Sequence, residues 1–294
     1  MKMKRNKNAP GMLKAFIALM RPNAWFATFF SISIGAILAL YPSRPAFGEI
    51  EEVVVLCVSL GCFIASGLYV LNDIFDAELD RKNPLKKKRP IASGIISVKQ
   101  ALAFSIVLLA FGLLLTLWLS VFHFFLGLLL VFLQLVYSVP PLRLKETRVD
   151  LLFSGPINHI VRIVAAWILF KPLEQIPLVV LAGMFLLYCT TYAYYKLIDK
   201  KFIPQKSIIK RKQIIPMLNL LSGAGLLLVI IAVLIGEIPA MFISLPAFLI
   251  AVWALQLIIP ATKKIPFFKT LTYTYGSVGL AFGTMALWAL AVLF

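Results

Sequence analysis

Apolar residues in this chain come in long unbroken runs, not in the alternating or one-sided patterns of water-soluble strands and helices. Runs of about 20 mostly apolar residues, the length a helix needs to cross a bilayer, occupy roughly 24–41, 53–75, 98–118, 120–138, 151–170, 177–198, 214–235, 239–259 and 271–293. The pattern predicts an all-α membrane protein with nine transmembrane helices in a single domain over residues 1–294. Pro42, Pro45 and Gly48 after the first run, Pro140-Pro141 after the fourth and Pro172 after the fifth mark short connections, so neighbouring spans should be antiparallel. Ahead of the first run, residues 11–20 carry apolar side chains at helical spacing before Arg21-Pro22, the pattern of a short interfacial helix.

Composition agrees with this reading. Hydrophobic residues make up 61% and charged residues 14% of the 294, and the mean hydropathy is +0.95. A water-soluble fold would leave too much apolar surface uncovered. The formal net charge of +17 would raise the question of nucleic acid in a soluble protein. Here the Lys and Arg sit in the N-terminal tail and in alternate loops, such as Lys86-Lys87-Lys88-Arg89 and Lys210-Arg211-Lys212, while the intervening loops are almost bare of them. The asymmetry predicts a cytoplasmic N-terminus and an outside C-terminus, in a multi-pass protein of the cell membrane. The basic start and first apolar run are expected to be a tail and a span, not a cleaved leader, because the run is span-length and no small-residue cleavage site follows. Cys57, Cys62 and Cys189 lie inside apolar runs at no metal or disulfide spacing. His123 and His159 are far apart and read as packed or interfacial groups.

Charges are costly inside a membrane and are normally functional or paired, which directs attention to the acids. Asn72, Asp73, Asp76 and Asp80 close the second run with the spacing N-D-x-x-D-x-x-x-D. At about 100° per residue they share one helical face, and Glu78 points away from it. Three carboxylates stacked this closely call for cations between them. Mg²⁺ suits the set, because it takes one or two carboxylates and completes its shell with water and phosphate oxygens, so the implied ligand is a diphosphate. The competing reading pairs the acids with Arg81, Lys82 and the 86–89 run at the membrane surface. That run either grips phosphate, with Arg89-Pro90 and Gly94 forming a stiff turn, or only fixes topology.

Further candidates follow along the chain. Tyr137 and Ser138 stand at a helix end stopped by Pro140-Pro141, with Arg143 and Lys145 beyond as phosphate partners. Ser154, Asn158 and Arg162 form an i, i+4, i+8 stripe that should face the bundle interior. Tyr188, Tyr192 and Tyr195 lead to Lys196 and Asp199; their rings either stabilise a passing carbocation or form an interfacial belt. No P-loop, dinucleotide fingerprint, H-E-x-x-H or C-x-x-C is present.

Arg21-Pro22, N-D-x-x-D-x-x-x-D at 72–80, RPIASG at 89–94 and YSVPPLRLK at 137–145 together resemble the UbiA-type superfamily of intramembrane prenyltransferases. The resemblance implies nine helices around a central cavity with Asp-rich motifs facing the cytoplasm. It implies Mg²⁺ on Asp73, Asp76 and Asp80, with Asn72 assisting. It also implies a polyprenyl diphosphate whose allylic C–O bond breaks, and a lipophilic acceptor that attacks the cation. Asn72, Arg89, Tyr137, Ser138, Arg143, Lys145, Asn158, Arg162, Tyr192 and Lys196 are the expected substrate-binding residues, and Asp199 the expected catalytic and metal residue of a second motif. That motif departs from the family's D-x-x-x-D, because Ile203 stands four residues after Asp199. The form D-R-x-x-P-x-K-x-x-R-P at 80–90 resembles instead the branch that moves phosphoribose from phosphoribosyl diphosphate to a polyprenyl phosphate. A transporter and a non-catalytic lipid-binding relative are the remaining alternatives.

Overall fold

The structure is a computed structural model that describes residues 11–41, 43, 45–84, 86–147, 150, 155–198 and 211–238, with the backbone alone at 191, 193–198, 211–215 and 217–219. All regular elements among these residues are helices: α1 Met12–Met20, α2 Trp25–Leu40, α3 Phe47–Cys57, α4 Ala65–Lys82, α5 Val98–Leu119, α6 Val121–Ser138, α7 Pro156–Trp167, α8 Leu178–Ile198 and α9 Arg211–Leu234. A π-helical segment, Val58–Ile64, joins α3 to α4 without a break. Among the described residues four helical stretches, Met12–Leu40, Phe47–Lys82, Val98–Leu119 and Val121–Ser138, are long and apolar enough to cross a membrane. The apolar runs at 239–259 and 271–293 lie outside the described residues.

The second apolar run understates its helix. Helical backbone begins at Phe47, so Gly48 belongs to α3 and not to the connection, and it continues to Lys82. Periodic hydrophobicity marks where a helix is buried in lipid, whereas backbone hydrogen bonding carries it on through Glu49–Glu52 and Asp73–Asp80. The short helix expected ahead of the first run is α1, which ends where Arg21 turns left-handed at φ 52°; Pro22, which disfavours right-handed helical backbone in the residue before it, keeps α1 from running on into α2.

The chain divides into two compact units, 1–26 with 54–142 and 27–53 with 143–294. In the first unit, α5 buries Ala101, Ser105, Leu108, Gly112 and Thr116, one narrow stripe at helical spacing. Its opposite face and that of α6 expose Ile106, Phe111, Leu114, Trp118, Phe122, Phe125 and Phe132. Small residues inward and large apolar ones outward is the arrangement of helices that pack in lipid. Ser105 Oγ donates to the Gly67 carbonyl at 2.8 Å and fastens α5 to α4. A separate cluster of Ala15, Leu19, Val70, Ala77, Ile91 and Ile96 joins α1, α4 and the loop after α4.

In the second unit, Phe30, Ile34, Ile37 and Leu38 of α2 pack with Ile163 and Trp167 of α7, Val180, Met184 and Leu187 of α8, and Val229 and Ala232 of α9. Gly35 sets the distance between α2 and α7: a Cβ there would lie 2.2 Å from the Ile163 carbonyl oxygen and 2.8 Å from Ala166 Cβ.

Candidate active site

The last turns of α4 carry the acids, and their burial sorts them. Asp73 and Asp80 are each 3% exposed, Asn72 and Asp76 are half-buried, and Glu78 is exposed. The shared face expected from the spacing is therefore the one turned into the protein. Buried carboxylates require compensation, and it comes from two arginines. Arg89 Nη1 donates to Asp73 Oδ1 and to Asp80 Oδ2, both at 2.8 Å. Arg21 Nη2 pairs with the same Asp73 Oδ1, and the Arg21 Cζ lies 5.1 Å from the Tyr69 ring centre, in a cation–π contact. Lys86 Nζ adds a looser ion pair to Asp80 at 3.9 Å. Burial, reinforced by the Arg89 charge, pulls the Lys86 amine below the usual lysine value.

Both arginines are held by local chemistry. Met20, at the end of α1, has a carbonyl without a helical partner; Trp25 Nε1 and Ser66 Oγ donate to it at 3.3 and 3.0 Å, and Trp25 also donates to Ser66 at 2.9 Å. This ties the α1–α2 corner to α4 two turns before Asp73 and aims Arg21 along the acid face. Arg89 rides a loop closed by Arg89 N–H to Lys86 O, Ser93 N–H to Arg89 O and Ile96 N–H to Pro90 O. Gly94 supplies the φ of 77° that the turn needs, and Ile91 and Ile96, 2% and 1% exposed, plug it into the core. The stiff turn expected around Arg89 is present, but its guanidinium is turned onto carboxylates. In the sequence Arg21 belongs to the basic N-terminal tail and to the Arg-Pro motif; a cation next to a proline between two apolar stretches is the signal that marks it.

At the end of α6, Ser138 is 2% exposed. Its Oγ accepts from Gln134 Nε2 at 2.9 Å and donates to Asn72 Oδ1 at 3.1 Å. The structure thus brings Asn72, Asp73, Asp80, Arg89 and Ser138 together in the first unit, with Asp76 on the same turn and Tyr137 half-buried beside Ser138.

The remaining candidates belong to the second unit. Arg143, left-handed at φ 36°, pairs with Glu146 at 2.7 Å, and Lys145 is half-buried nearby. Asn158 and Arg162 lie on α7. Tyr192 donates to Asp150 at 3.3 Å. The side chain of Lys196 and the whole of Asp199 lie outside the described residues.

The donor chemistry fits Mg²⁺ in one specific way. Among the described residues no group of three or more Asp, Glu, His or Cys is placed to enclose a metal. Carboxylates in ones and twos on one face, backed by arginines, suit a hard cation whose other ligands are phosphate oxygens and water.

Comparison with known proteins agrees with the geometry. Residues 28–264 match the model of the UbiA prenyltransferase family, and the chain belongs to that family. It is 34% identical over 110 residues to the digeranylgeranylglyceryl phosphate synthase of Saccharolobus solfataricus, covering 37% of this chain and 36% of that one. It is 32% identical over 106 residues to the decaprenyl-phosphate phosphoribosyltransferase of Corynebacterium glutamicum, covering 35% and 29%. The matched stretches span between 31% and 43% of the three synthases that head the curated relatives. The structure of a UbiA homolog from Archaeoglobus fulgidus bound to GPP and Mg²⁺ has the same fold, with a TM-score of 0.75, 16% identity and coverage of 95% of this chain and 100% of that one. The protein is an integral membrane protein.

Proposed function

We propose that this chain is a Mg²⁺-dependent prenyltransferase that moves a prenyl group from a polyprenyl diphosphate to a lipophilic acceptor. The observation that carries the reading is the pair of buried carboxylates, Asp73 and Asp80, bridged by Arg89 and flanked by Arg21 and Lys86. A purely structural ion pair has no need of an acid face this rich; a diphosphate site needs cations and carboxylates in alternation.

In this reading Asp73, Asp76 and Asp80 hold the metal, with Asp199 contributing from the second motif and Asn72 orienting the diphosphate. Bound Mg²⁺ supplies charge stabilisation of the leaving diphosphate. Arg89, Arg21 and Lys86, which pair with Asp73 and Asp80 here, would serve as phosphate partners with Mg²⁺ on the acids, so that no buried charge is left without a counterion. Ser138 keeps Asn72 in register, and Tyr137, Arg143, Lys145, Asn158, Arg162, Tyr192 and Lys196 are the further residues that this reading assigns to substrate binding. The full frame is one domain of nine spans around a central cavity in the cell membrane, with the N-terminus and the site on the cytoplasmic side.

The second reading is phosphoribosyl transfer. It is supported by the 80–90 segment, in which Lys86 reaches Asp80, and by the relative named for that activity. Both donors use the same diphosphate chemistry, so one assay separates them. Protein in nanodiscs with Mg²⁺ is given radiolabelled phosphoribosyl diphosphate or a series of prenyl diphosphates with lipid acceptors. Label from prenyl donors, lost in Asp73→Ala, is expected; label from phosphoribose alone would overturn the prenyl assignment.

A further inference from the structure

A cavity of about 290 Å³ opens at one end of the second unit, where α2, α7 and α9 finish and α8 begins. Tyr41, Trp167, Lys171, Glu174, Gln175 and Glu237 bring its polar groups, and Leu38, Ile176 and Ile238 belong to its apolar wall. Backbone chemistry holds these residues in place. Trp167, the last residue of α7, is 5% exposed, and its Nε1 donates to the Pro172 carbonyl at 3.0 Å. Gln175 N–H to Pro172 O and Ile176 N–H to Leu173 O close the next turn, so Lys171 and Glu174 ride a segment fastened to α7. Helix α9 ends in a Schellman motif. Gly236, left-handed at φ 77°, donates to the Val233 carbonyl at 3.1 Å, and Glu237 N–H donates to the Ala232 carbonyl at 2.8 Å. Ile238 then packs into the core, which fixes Glu237 at the cavity.

The charges lining this cavity do not neutralise one another. Lys171 Nζ lies over the Trp167 ring, 5.3 Å from its centre, and among the described residues neither the Glu174 nor the Glu237 carboxylate has an ion-pair or hydrogen-bond partner. One exposed acid needs no partner beyond water. Two acids and a lysine around one concavity set a pattern that a ligand must match. A bare anion would meet two carboxylates, and a bare cation would leave Lys171 facing like charge. A zwitterion answers both signs, with an ammonium toward Glu174 and Glu237 and a phosphate toward Lys171. The ammonium must bring N–H groups, because carboxylates bind by accepting them. A quaternary ammonium has none and is held by open aromatic faces. Here the Trp167 ring is buried and taken by Lys171, which leaves Tyr41 alone among the described lining residues, short of a cage.

The surroundings say what carries the zwitterion. Leu178, Leu234 and Ile235, at the same helix ends, are exposed apolar side chains. The ends of spanning helices lie where headgroups meet hydrocarbon. We infer that this cavity binds the headgroup of a phospholipid bearing a primary ammonium, with its acyl chains against the exposed apolar residues. The site shares no residue with the candidate active site and stands whether or not the chain transfers prenyl groups.

The test is lipid binding without donor or metal. Purified full-length protein in detergent is titrated with phosphatidylethanolamine, with its N-trimethyl counterpart phosphatidylcholine and with phosphatidylglycerol, all with the same acyl chains, and bound lipid is measured by native mass spectrometry. Wild type is expected to hold the ethanolamine lipid about tenfold more tightly than either of the others, the effect of two partly exposed ion pairs. Glu174→Gln combined with Glu237→Gln should bring ethanolamine and choline lipids to within about twofold of each other. Equal retention of these two lipids by wild type, tighter binding of phosphatidylglycerol, or an undiminished preference in the double variant would overturn the site. If the double variant does not insert, each single variant decides on the same ratio: a reduced preference supports the site and an unchanged one rejects it. Glycerophosphoethanolamine, the same headgroup without chains, should fail to displace the lipid at equal concentration. Equal competition would make the ligand a soluble zwitterion and reject the lipid.

Discussion

Arg89 reaches Asp73 at 2.8 Å across sixteen residues of chain, and through the same nitrogen it reaches Asp80. One guanidinium thus spans two turns of α4. A lysine at this position is a single compact cation without the planar fork. Arg89→Lys is expected to lose about 1–3 kcal/mol and Arg89→Ala more, because two buried carboxylates then share Arg21 and Lys86. Thermal unfolding in detergent checks the order, wild type above Lys above Ala. Coincident transitions for wild type and Arg89→Ala would show that the bridge contributes no stability.

Asp73→Asn and Asp80→Asn keep shape and remove charge. Each should slow diphosphate release by about 10²–10³-fold, the usual effect of deleting one group that stabilises transition-state charge. Chelation of wild type should do at least as much, and added Mg²⁺ should restore the rate. Turnover that survives EDTA would remove the metal from the scheme.

Ser138 is the middle of a relay from Gln134 to Asn72. Ser138→Ala deletes the donor to Asn72 Oδ1 and the acceptor of Gln134, at a cost of about 1–3 kcal/mol. If the relay serves to orient Asn72, then Ser138→Ala and Asn72→Ala should be non-additive in kcat/KM. Strictly additive losses would separate the two residues functionally.

Gly35 has no room for a methyl group against the Ile163 carbonyl. Gly35→Ala must push α2 from α7, with a loss of at least about 1–3 kcal/mol. Gly48→Ala, where nothing lies within 4 Å, is the control and should unfold with wild type. Equal stability of the two variants would contradict the close approach.

Hydrophobic run length located the membrane helices of the first unit to within a residue or two at α5 and α6, because lipid exposure leaves an unambiguous apolar record. It missed the start of the 47–82 helix, where Glu49, Glu51 and Glu52 continue the helix ahead of the apolar signal, while the spacing of Asn72 to Asp80 carried the helix past the apolar run at its other end. The acid face was legible because helical geometry alone puts Asp73 and Asp80 on one side. The partner of that face was only half legible: Arg89 stood out in a basic run, but nothing local in the sequence links Arg21 to Asp73, 52 positions away. The hydrogen-bonded Ser31–His159–Tyr188 cluster of the second unit was invisible for the same reason. Its members come from three helices, and the tyrosine stripe that includes Tyr188 carries no link to Ser31 or His159, so His159 reads as an ordinary packed residue.

The unbroken helix from Phe47 to Lys82 has 36 residues and rises about 54 Å, against about 30 Å of hydrocarbon in a bilayer. Such a rod must lean or stand proud of the oily layer at its ends. In the transferase reading proposed above, an acidic tip at the water boundary would let ions and pyrophosphate come and go while a long isoprenoid tail stays dissolved in the lipid alongside. Reactants of opposite solubility would then meet without either one leaving its own phase.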